Sequence, residues 1–179
     1  VNGIRFDIDN ANITVADNTS VTQDDLDIGM RVTVRGILDD GGLTATASSV
    51  VYKGEVQGPV QNTLLGPDGL TKSFDVLGIS IIVDSTSTIF QGTSFDALQN
   101  ENVIEISGYF DQNAVLIASR IEYKDTFANL NEIEVRGEVV SINSTAFNLQ
   151  VDQDTTLAFD TEGTADLSDL ANGVITVGM

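Results

Sequence analysis

The sequence predicts an all-β protein made of tandem small β-barrels, each with about six short strands. A valine that precedes an acidic, Thr-rich stretch recurs at Val15, Val83 and Val151, and both intervals are 68 residues. Apolar and polar residues alternate with a period of two between turns rich in Gly, Asn and Asp, which is the pattern of half-buried strands. A repeat of this length is too long for a solenoid rung and is typical of a small β-domain.

The middle copy contains the most complete set of predicted elements. Its opening strand begins at Gly54-Glu55-Val56, and Gly, Pro and Asp predict a turn at 65–69. The remaining elements are strands at 73–76, 79–83 and 88–90, a helical turn or tight loop at Phe95 and Leu98, and strands at 103–108 and 116–122 joined by a hairpin at 111–113. Closure of these strands into a barrel would hide the edges of a small sheet.

The flanking copies divide the chain into unit one (1–53), unit two (54–124), a connector (125–133) and unit three (134–179). Unit one is aligned with unit two so that Phe6-Asp7-Ile8 corresponds to Phe74-Asp75-Val76. Phe6, Phe74 and Phe147 then occupy one recurring core position. Interdomain packing is predicted for Tyr52 and Tyr123, which end two closing strands, and for Phe127 and Leu130 of the connector.

The two end units are predicted to be incomplete. Unit one lacks an equivalent of the opening strand, and unit three lacks the closing strand that 116–122 provides in unit two. The exposed assembly edges are expected at Val1, Ile4 and Phe6 and at Ile175, Val177 and Met179. Unpaired backbone groups at such edges seek partners. Two explanations stay open: the sequence is a window on a longer tandem array, or adjacent molecules complete the end units with donated strands.

Several kinds of chemistry are excluded by residue types that the sequence does not contain. The chain has no Cys, His or Trp. It therefore has no haem attachment motif, no ordinary zinc site and no Ser-His-Asp unit. Paired carboxylates can hydrolyse glycosides, but three Tyr and no Trp leave little surface on which sugars stack. We expect a protein that is not an enzyme and that needs no cofactor.

Charge narrows the range of partners. The chain has 27 acidic and 8 basic residues, a net charge of −19, which repels nucleic-acid phosphates and anionic membranes. It contains no run of eighteen apolar residues, and Val1-Asn2-Gly3 lacks the pattern of a signal peptide. We expect no nucleic-acid partner and no membrane span. Composition rich in Asp, Asn, Thr, Ser and Gly favours an extracellular or cell-surface location.

Acidic clusters offer candidate calcium ligands. Asp7 and Asp9 alternate along the chain, and Asp39 and Asp40 form a second cluster. The first cluster lacks the Gly at position six and the Glu at position twelve of the EF-hand loop. Turn residues between strands are the better interpretation of both clusters, with calcium as the alternative.

The strand pattern of unit two resembles the bacterial domain-of-unknown-function family 5666. The similar residues are 74–84, which read F-D-V-L-G-I-S-I-I-V-D, the segment I-E-I-S-G at 104–108, and the ending A-S-R-I-E at 118–122. This resemblance implies small barrels like those that bind oligonucleotides and oligosaccharides (OB-like), often in tandem, in exported bacterial proteins. It implies no catalytic residues.

Two functional hypotheses follow. The first is a non-enzymatic extracellular structural or interaction protein that self-associates through strand edges into a fibre, sheath or surface assembly. The alternative is an exported OB-like binding module for an oligosaccharide or a peptide, which predicts a groove with exposed aromatic residues.

Overall fold

The computed structural model describes residues 3–16, 18–126, 133–151, 155–161 and 174–179, and it confirms the all-β prediction. The strands are β1 Arg5–Asp7, β2 Asn12–Val15, β3 Val32–Leu38, β4 Thr44–Tyr52, β5 Val56–Leu65, β6 Thr71–Val76, β7 Ile79–Asp84, β8 Ile89–Gln91, β9 Asn102–Phe110, β10 Leu116–Thr126, β11 Glu134–Val135, β12 Glu138–Ile142, β13 Ala146–Gln150 and β14 Thr156–Asp160. We call β1–β4 sheet one, β5–β11 sheet two and β12–β14 sheet three. No helix among the described residues is long and apolar enough to cross a membrane.

Sheet two contains a continuous ring of strand pairings. β5 pairs with β6, β6 with β7, β7 with β10 and β10 with β9, and β9 pairs in turn with β5. β8 pairs with the second half of β10, and β11 pairs with the start of β5. The strands predicted at 73–76, 79–83, 88–90, 103–108 and 116–122 are β6 to β10. Residues 94–98 form a turn rather than a helix.

The core of the protein lies inside this ring. Alternate residues of the strands point inward, as their period-two pattern predicts. The largest fully buried side chains are Phe74, Ile79, Ile81, Leu98, Ile104, Ile106, Leu116 and Ile121. Because each fully buried aliphatic or aromatic side chain contributes about 1.5–3 kcal/mol, this cluster is the main source of stability in sheet two.

A shared β-bulge shows which strands of sheets one and two correspond. The β3–β4 register shifts between Arg35 and Gly36, and the β9–β10 register shifts at the equivalent place, beside Gly108. A Cβ atom on Gly36 would lie 2.2 Å from the carbonyl oxygen of Thr46, and one on Gly108 would lie 2.3 Å from that of Ile117. Both positions therefore require glycine. β3 and β4 are the counterparts of β9 and β10.

This correspondence changes the alignment of β1. Phe6 pairs in parallel with Ala45 of β4, as Ile81 pairs in parallel with Leu116 of β10. Gly3 and Gly78 precede the two strands with similar φ angles of 80° and 82°. β1 is thus the counterpart of β7, and the predicted match of Phe6 with Phe74 in β6 is wrong. Among the described residues, sheet one has no counterpart of β5 or of β6.

Sheet three matches the first three strands of sheet two. Phe147 pairs with Phe159 and Leu149 with Leu157, as Phe74 pairs with Ile81 and Val76 with Ile79. The predicted correspondence of Phe147 with Phe74 agrees with this register. The list of counterparts is therefore β12 for β5, β13 for β6 and β14 for β7.

The interval of 68 residues does not mark equivalent positions in the structure. Val83 lies within β7, Val15 ends β2, and Val151 lies in the turn after β13, where its N–H donates to the Thr155 carbonyl oxygen. The turns between corresponding strands differ in length, and strand register follows the apolar faces rather than the chain interval. Three similar barrels are also not formed, because the described parts of sheets one and three are open sheets of four and three strands.

Replacement of a core residue tests the importance of the ring. We expect Phe74→Ala to lower the free energy of unfolding by about 3–5 kcal/mol, because it leaves a cavity in a close-packed core. Leu64→Ala is the matched control, since Leu64 is 67% exposed and its truncation leaves no cavity. Urea unfolding followed by circular dichroism measures both effects. Equal losses for the two variants would contradict the assignment of the core to this ring.

Candidate interaction surfaces

The strand edges of sheet one are open where those of sheet two are paired. In sheet two, β7 pairs with β6 on one side and with β10 on the other, and β9 lies between β5 and β10. Among the described residues, the counterparts β1 and β3 pair with β4 alone. The free side of each strand presents a row of backbone donors and acceptors that another strand can bind. The gap between them corresponds to the space that β5 and β6 fill in sheet two.

Apolar side chains beside this gap are exposed. Leu38 pairs with Ala45 as Phe110 pairs with Leu116, so Leu38 and Phe110 are counterparts. Phe110 packs against the core of sheet two, whereas Leu38 is 57% exposed. Ile37 points to the opposite face, where its counterpart Tyr109 is also exposed. The difference in burial arises because no second pair of strands covers this part of sheet one. Leu38 is therefore an exposed apolar side chain beside the gap.

The predicted assembly edges fall in different surroundings. Phe6 lies on β1, Ile4 directly precedes it, and Val1 lies outside the described residues. Ile175, Val177 and Met179 lie in the segment 174–179, which is not a strand. This segment contacts β12, since the Gly178 N–H donates to the Val139 carbonyl oxygen at 2.8 Å and the Val139 N–H donates to that of Met179 at 3.2 Å.

Tyr52 connects sheet one to the outer side of β9 and β10. Its hydroxyl donates to Glu105 Oε1 at 2.7 Å and accepts from Ser107 Oγ at 2.9 Å. Lys124 Nζ lies 2.8 Å from Glu105 Oε2 and 2.8 Å from Glu122 Oε1. Tyr52, Glu105 and Ser107 are buried. This network, which we call the Tyr52 network, satisfies polar groups that burial would otherwise destabilise.

Burial and neighbouring carboxylates shift two pKa values in the Tyr52 network. Burial, followed by the hydrogen bond to Glu105, raises the pKa of Tyr52 well above its ordinary value of 10. Burial alone would lower the pKa of Lys124, but hydrogen bonds to Glu105 and Glu122 outweigh it and raise this pKa. The phenol therefore stays neutral and the ammonium stays charged at physiological pH.

A loop of sheet one, residues 27–31, forms the second half of the junction. Arg120 is 3% exposed, and its Nη2 contacts Asp27 Oδ2 at 2.9 Å. Ser119 Oγ donates to the Gly29 carbonyl oxygen at 2.7 Å, and Arg31 Nη1 donates to that of Gly108 at 2.8 Å. Gly29 has a φ of 90°, and an added Cβ would lie 2.9 Å from the Ser119 carbonyl oxygen. Glycine is therefore required where the loop meets β10.

Sequence reasoning did not identify the polar residues of this junction other than Tyr52. They include Asp27, Arg31, Glu105, Ser107, Ser119, Arg120 and Glu122. The available signal was the alternation of polar residues at 105 and 107 and at 120, 122 and 124, on two neighbouring strands. Such a polar face usually points to solvent, so its burial by another unit is visible only in the structure. Tyr123 lies on β10 beside Gly92, and Phe127 and Leu130 lie outside the described residues.

The candidate calcium ligands lie at the end of strand β1 and in the turns that follow β1 and β3. The Asp9 N–H donates to Asp7 Oδ1 at 3.0 Å, and Thr46 Oγ1 donates to Asp39 Oδ1 at 3.4 Å. Asp7, Asp9 and Asp39 line one depression, whereas Asp40 lies in the turn between β3 and β4. Within the part of the chain that the structure describes, no group of three or more acidic side chains is arranged to hold a metal ion.

A depression with a volume of about 840 Å³ and a mostly polar lining lies among the described residues. It is lined by Met30, Arg31, Val32, Thr33, Val51, Lys53, Glu55 and Arg136. No aromatic ring lies among these residues, so the depression lacks the stacking surface that sugar-binding grooves use.

Comparison with known proteins identifies a family. The family described as "Domain of unknown function (DUF5666)" matches residues 1–47 and 57–122, well over half of the chain. The two matched segments lie in units one and two, which is consistent with repeated copies. No curated protein and no solved structure matches the chain.

Removal of the Tyr52 hydroxyl tests the junction. We expect Tyr52→Phe to lower the free energy of unfolding by about 1–3 kcal/mol, because the buried Glu105 carboxylate loses its donor. Tyr109→Phe is the control, since Tyr109 is half exposed. Equilibrium urea unfolding gives the values. A loss no larger than that of the control would show that the hydroxyl does not stabilise the junction.

Alkaline pH provides a second test of the same contact. Because the folded-state pKa of Tyr52 lies above its unfolded value of about 10, its contribution is complete below that pH and is lost as pH rises through the folded pKa. The raised pKa of Lys124 acts in the same direction. We expect stability to fall above about pH 10, and to fall less steeply in Tyr52→Phe. Unfolding curves between pH 8 and 11 measure the slopes, and identical slopes would contradict this account.

Proposed function

The chain belongs to the domain-of-unknown-function family DUF5666, and we propose that it is a non-enzymatic structural or interaction protein that self-associates through the open strand edges of sheet one. We place it outside the cell or at the cell surface, as a subunit of a fibre, sheath or surface assembly. The open edges of β1 and β3 carry this proposal. In sheet two, the counterparts of these strands, β7 and β9, are paired on both sides, because β6 pairs with β7 and β5 pairs with β9.

The backbone supplies the affinity in this proposal. A strand or hairpin that enters the gap beside β3 gains main-chain hydrogen bonds along its length, and its side chains cover Leu38. This covering restores for sheet one the burial that Phe110 has in sheet two. The completed sheet would resemble the five-stranded ring of sheet two, which we propose to be an OB-like barrel.

Composition supports a role without catalysis. The chain contains no His or Cys, the side chains that most often act as bases or nucleophiles at neutral pH. Tyr52 and Lys124 have raised pKa values, and Glu105 is buried. Glu105 binds both of the other side chains at the junction between units. The residues that would attract attention in an active site are therefore explained by packing between units.

Replacement of the exposed apolar residues beside the gap tests the proposal. We expect the unaltered protein to self-associate with rising concentration, and Ile37→Ser with Leu38→Ser to weaken this association about tenfold, because the apolar cover beside the edge is lost. Leu64→Ser with Leu65→Ser is the matched control, since these two leucines are 67% and 62% exposed on β5. Sedimentation velocity over a wide concentration range measures the constants.

Two outcomes would overturn the proposal. The first is a protein that stays monomeric at every concentration tested. The second is equal association of the edge variant and the control variant, both still folded by circular dichroism. Either result shows that the open edges of sheet one are not sites of self-association.

A further inference from the structure

One face of sheet two is covered by sheet one, and this contact provides a precedent within the molecule. The covered face is the outer side of β9 and β10, where Glu105, Ser107 and Arg120 are buried although their side chains are polar. The covering residues are Tyr52 and the loop at 27–31. The outer side of the last two strands of a unit is thus a place where another unit docks.

Strand register identifies the same face on sheet one. Thr33 pairs with Val51 as Glu105 pairs with Glu122, and Arg35 pairs with Ser49 as Ser107 pairs with Arg120. Lys53 follows Tyr52 as Lys124 follows Tyr123. We call this surface the β3–β4 outer face. It consists of Arg31, Thr33, Arg35, Ser49, Val51 and Lys53.

The β3 side of the β3–β4 outer face is exposed, and its β4 side, with Ser49, Val51 and Lys53, is half-buried. Arg31, Thr33 and Arg35 are exposed. On sheet two, by contrast, Glu105 and Ser107, which correspond to Thr33 and Arg35, are buried. The polar depression of about 840 Å³ lies on this face. The β3–β4 outer face therefore corresponds in position to the covered face of sheet two, but no other unit covers its β3 residues among the described residues.

Its charge differs from that of the covered face. The two glutamates of sheet two are replaced by Thr33 and Val51, and Ser107 is replaced by Arg35. Arg31, Arg35 and Lys53 thus lie on one face, and Arg136 lies at the rim of the depression. Glu55 is the acidic residue that lines the depression, 3.7 Å from Arg31. Half of the eight basic residues of a chain with a net charge of −19 are gathered at this place.

We propose that the β3–β4 outer face docks an acid-rich surface of a second copy of this chain. On sheet two the corresponding face is covered by another unit, so we expect a contact of the same kind here. The partner is expected to be a second copy because the chain carries 27 acidic residues, which complement the basic residues of this face. Docking would pair carboxylates of the incoming copy with Arg31, Arg35 and Lys53. This surface is distinct from the strand edges, so the inference does not depend on pairing at β1 or β3.

Neutralisation of two basic residues tests the inference. The face variant is Arg35→Gln with Lys53→Gln, which leaves Arg31 in its contact with Gly108. The control is Gln61→Glu with Gln99→Glu, exposed positions of sheet two, which gives the same net charge. General repulsion between copies is then equal in the two proteins. Both are made in the Ile37→Ser, Leu38→Ser background, which weakens pairing at the open edges.

Sedimentation velocity at about 20 mM and about 300 mM salt supplies the readout. We expect the face variant to associate about tenfold more weakly than the control at low salt, and the difference to shrink at high salt as the charges are screened. Equal association of the face variant and the control at low salt would overturn the inference. So would binding of the unaltered face to immobilised poly-glutamate without any self-association, because the partner would then be a different acidic molecule.

Discussion

The backbone of a β-strand needs partners on both sides, and this requirement governs the whole molecule. Sheet two meets it by a ring in which β5 pairs with both β6 and β9. Sheet one has the same bulge, the same parallel pairing with its last strand and glycines at corresponding positions. Among the described residues, however, it lacks counterparts of β5 and β6, the two strands that complete the ring in sheet two. The proposed association through the edges of sheet one rests on that difference.

A second constraint fixes how neighbouring units meet. The inner end of sheet one, with Tyr52, lies on the outer face of β9 and β10, so a polar face becomes an interior surface. Glu105 bonds both Tyr52 and Lys124, and Arg120 bonds Asp27. Polar networks of this kind give orientation more than net stability, because desolvation of the charges offsets much of the attraction. The junction is therefore suited to holding successive units at a defined angle.

Local pattern predicted the strands of unit two because their inward-facing apolar residues alternate with more polar ones. The alternation in 79–83 follows directly from one buried face, whereas 103–108 is buried on both faces because sheet one covers Glu105 and Ser107. Alignment between units failed at Phe6, because its position depends on pairing with Ala45, far along the chain, and turns differ in length. Packing of Tyr52 between units was predicted, but its partner Glu105 was not, since the two residues are 53 apart and nothing local shows that a polar face is covered.

Amide hydrogen exchange on β3 and β9 distinguishes an open strand edge from a paired one. In dilute solution we predict fast exchange for the β3 amides that do not point to β4, and slow exchange for the counterparts on β9, which pair with β5. As concentration rises and copies associate, the β3 amides should become protected. The account is contradicted if the β3 amides are as protected as those of β9 in the dilute monomer, or if association leaves their exchange unchanged.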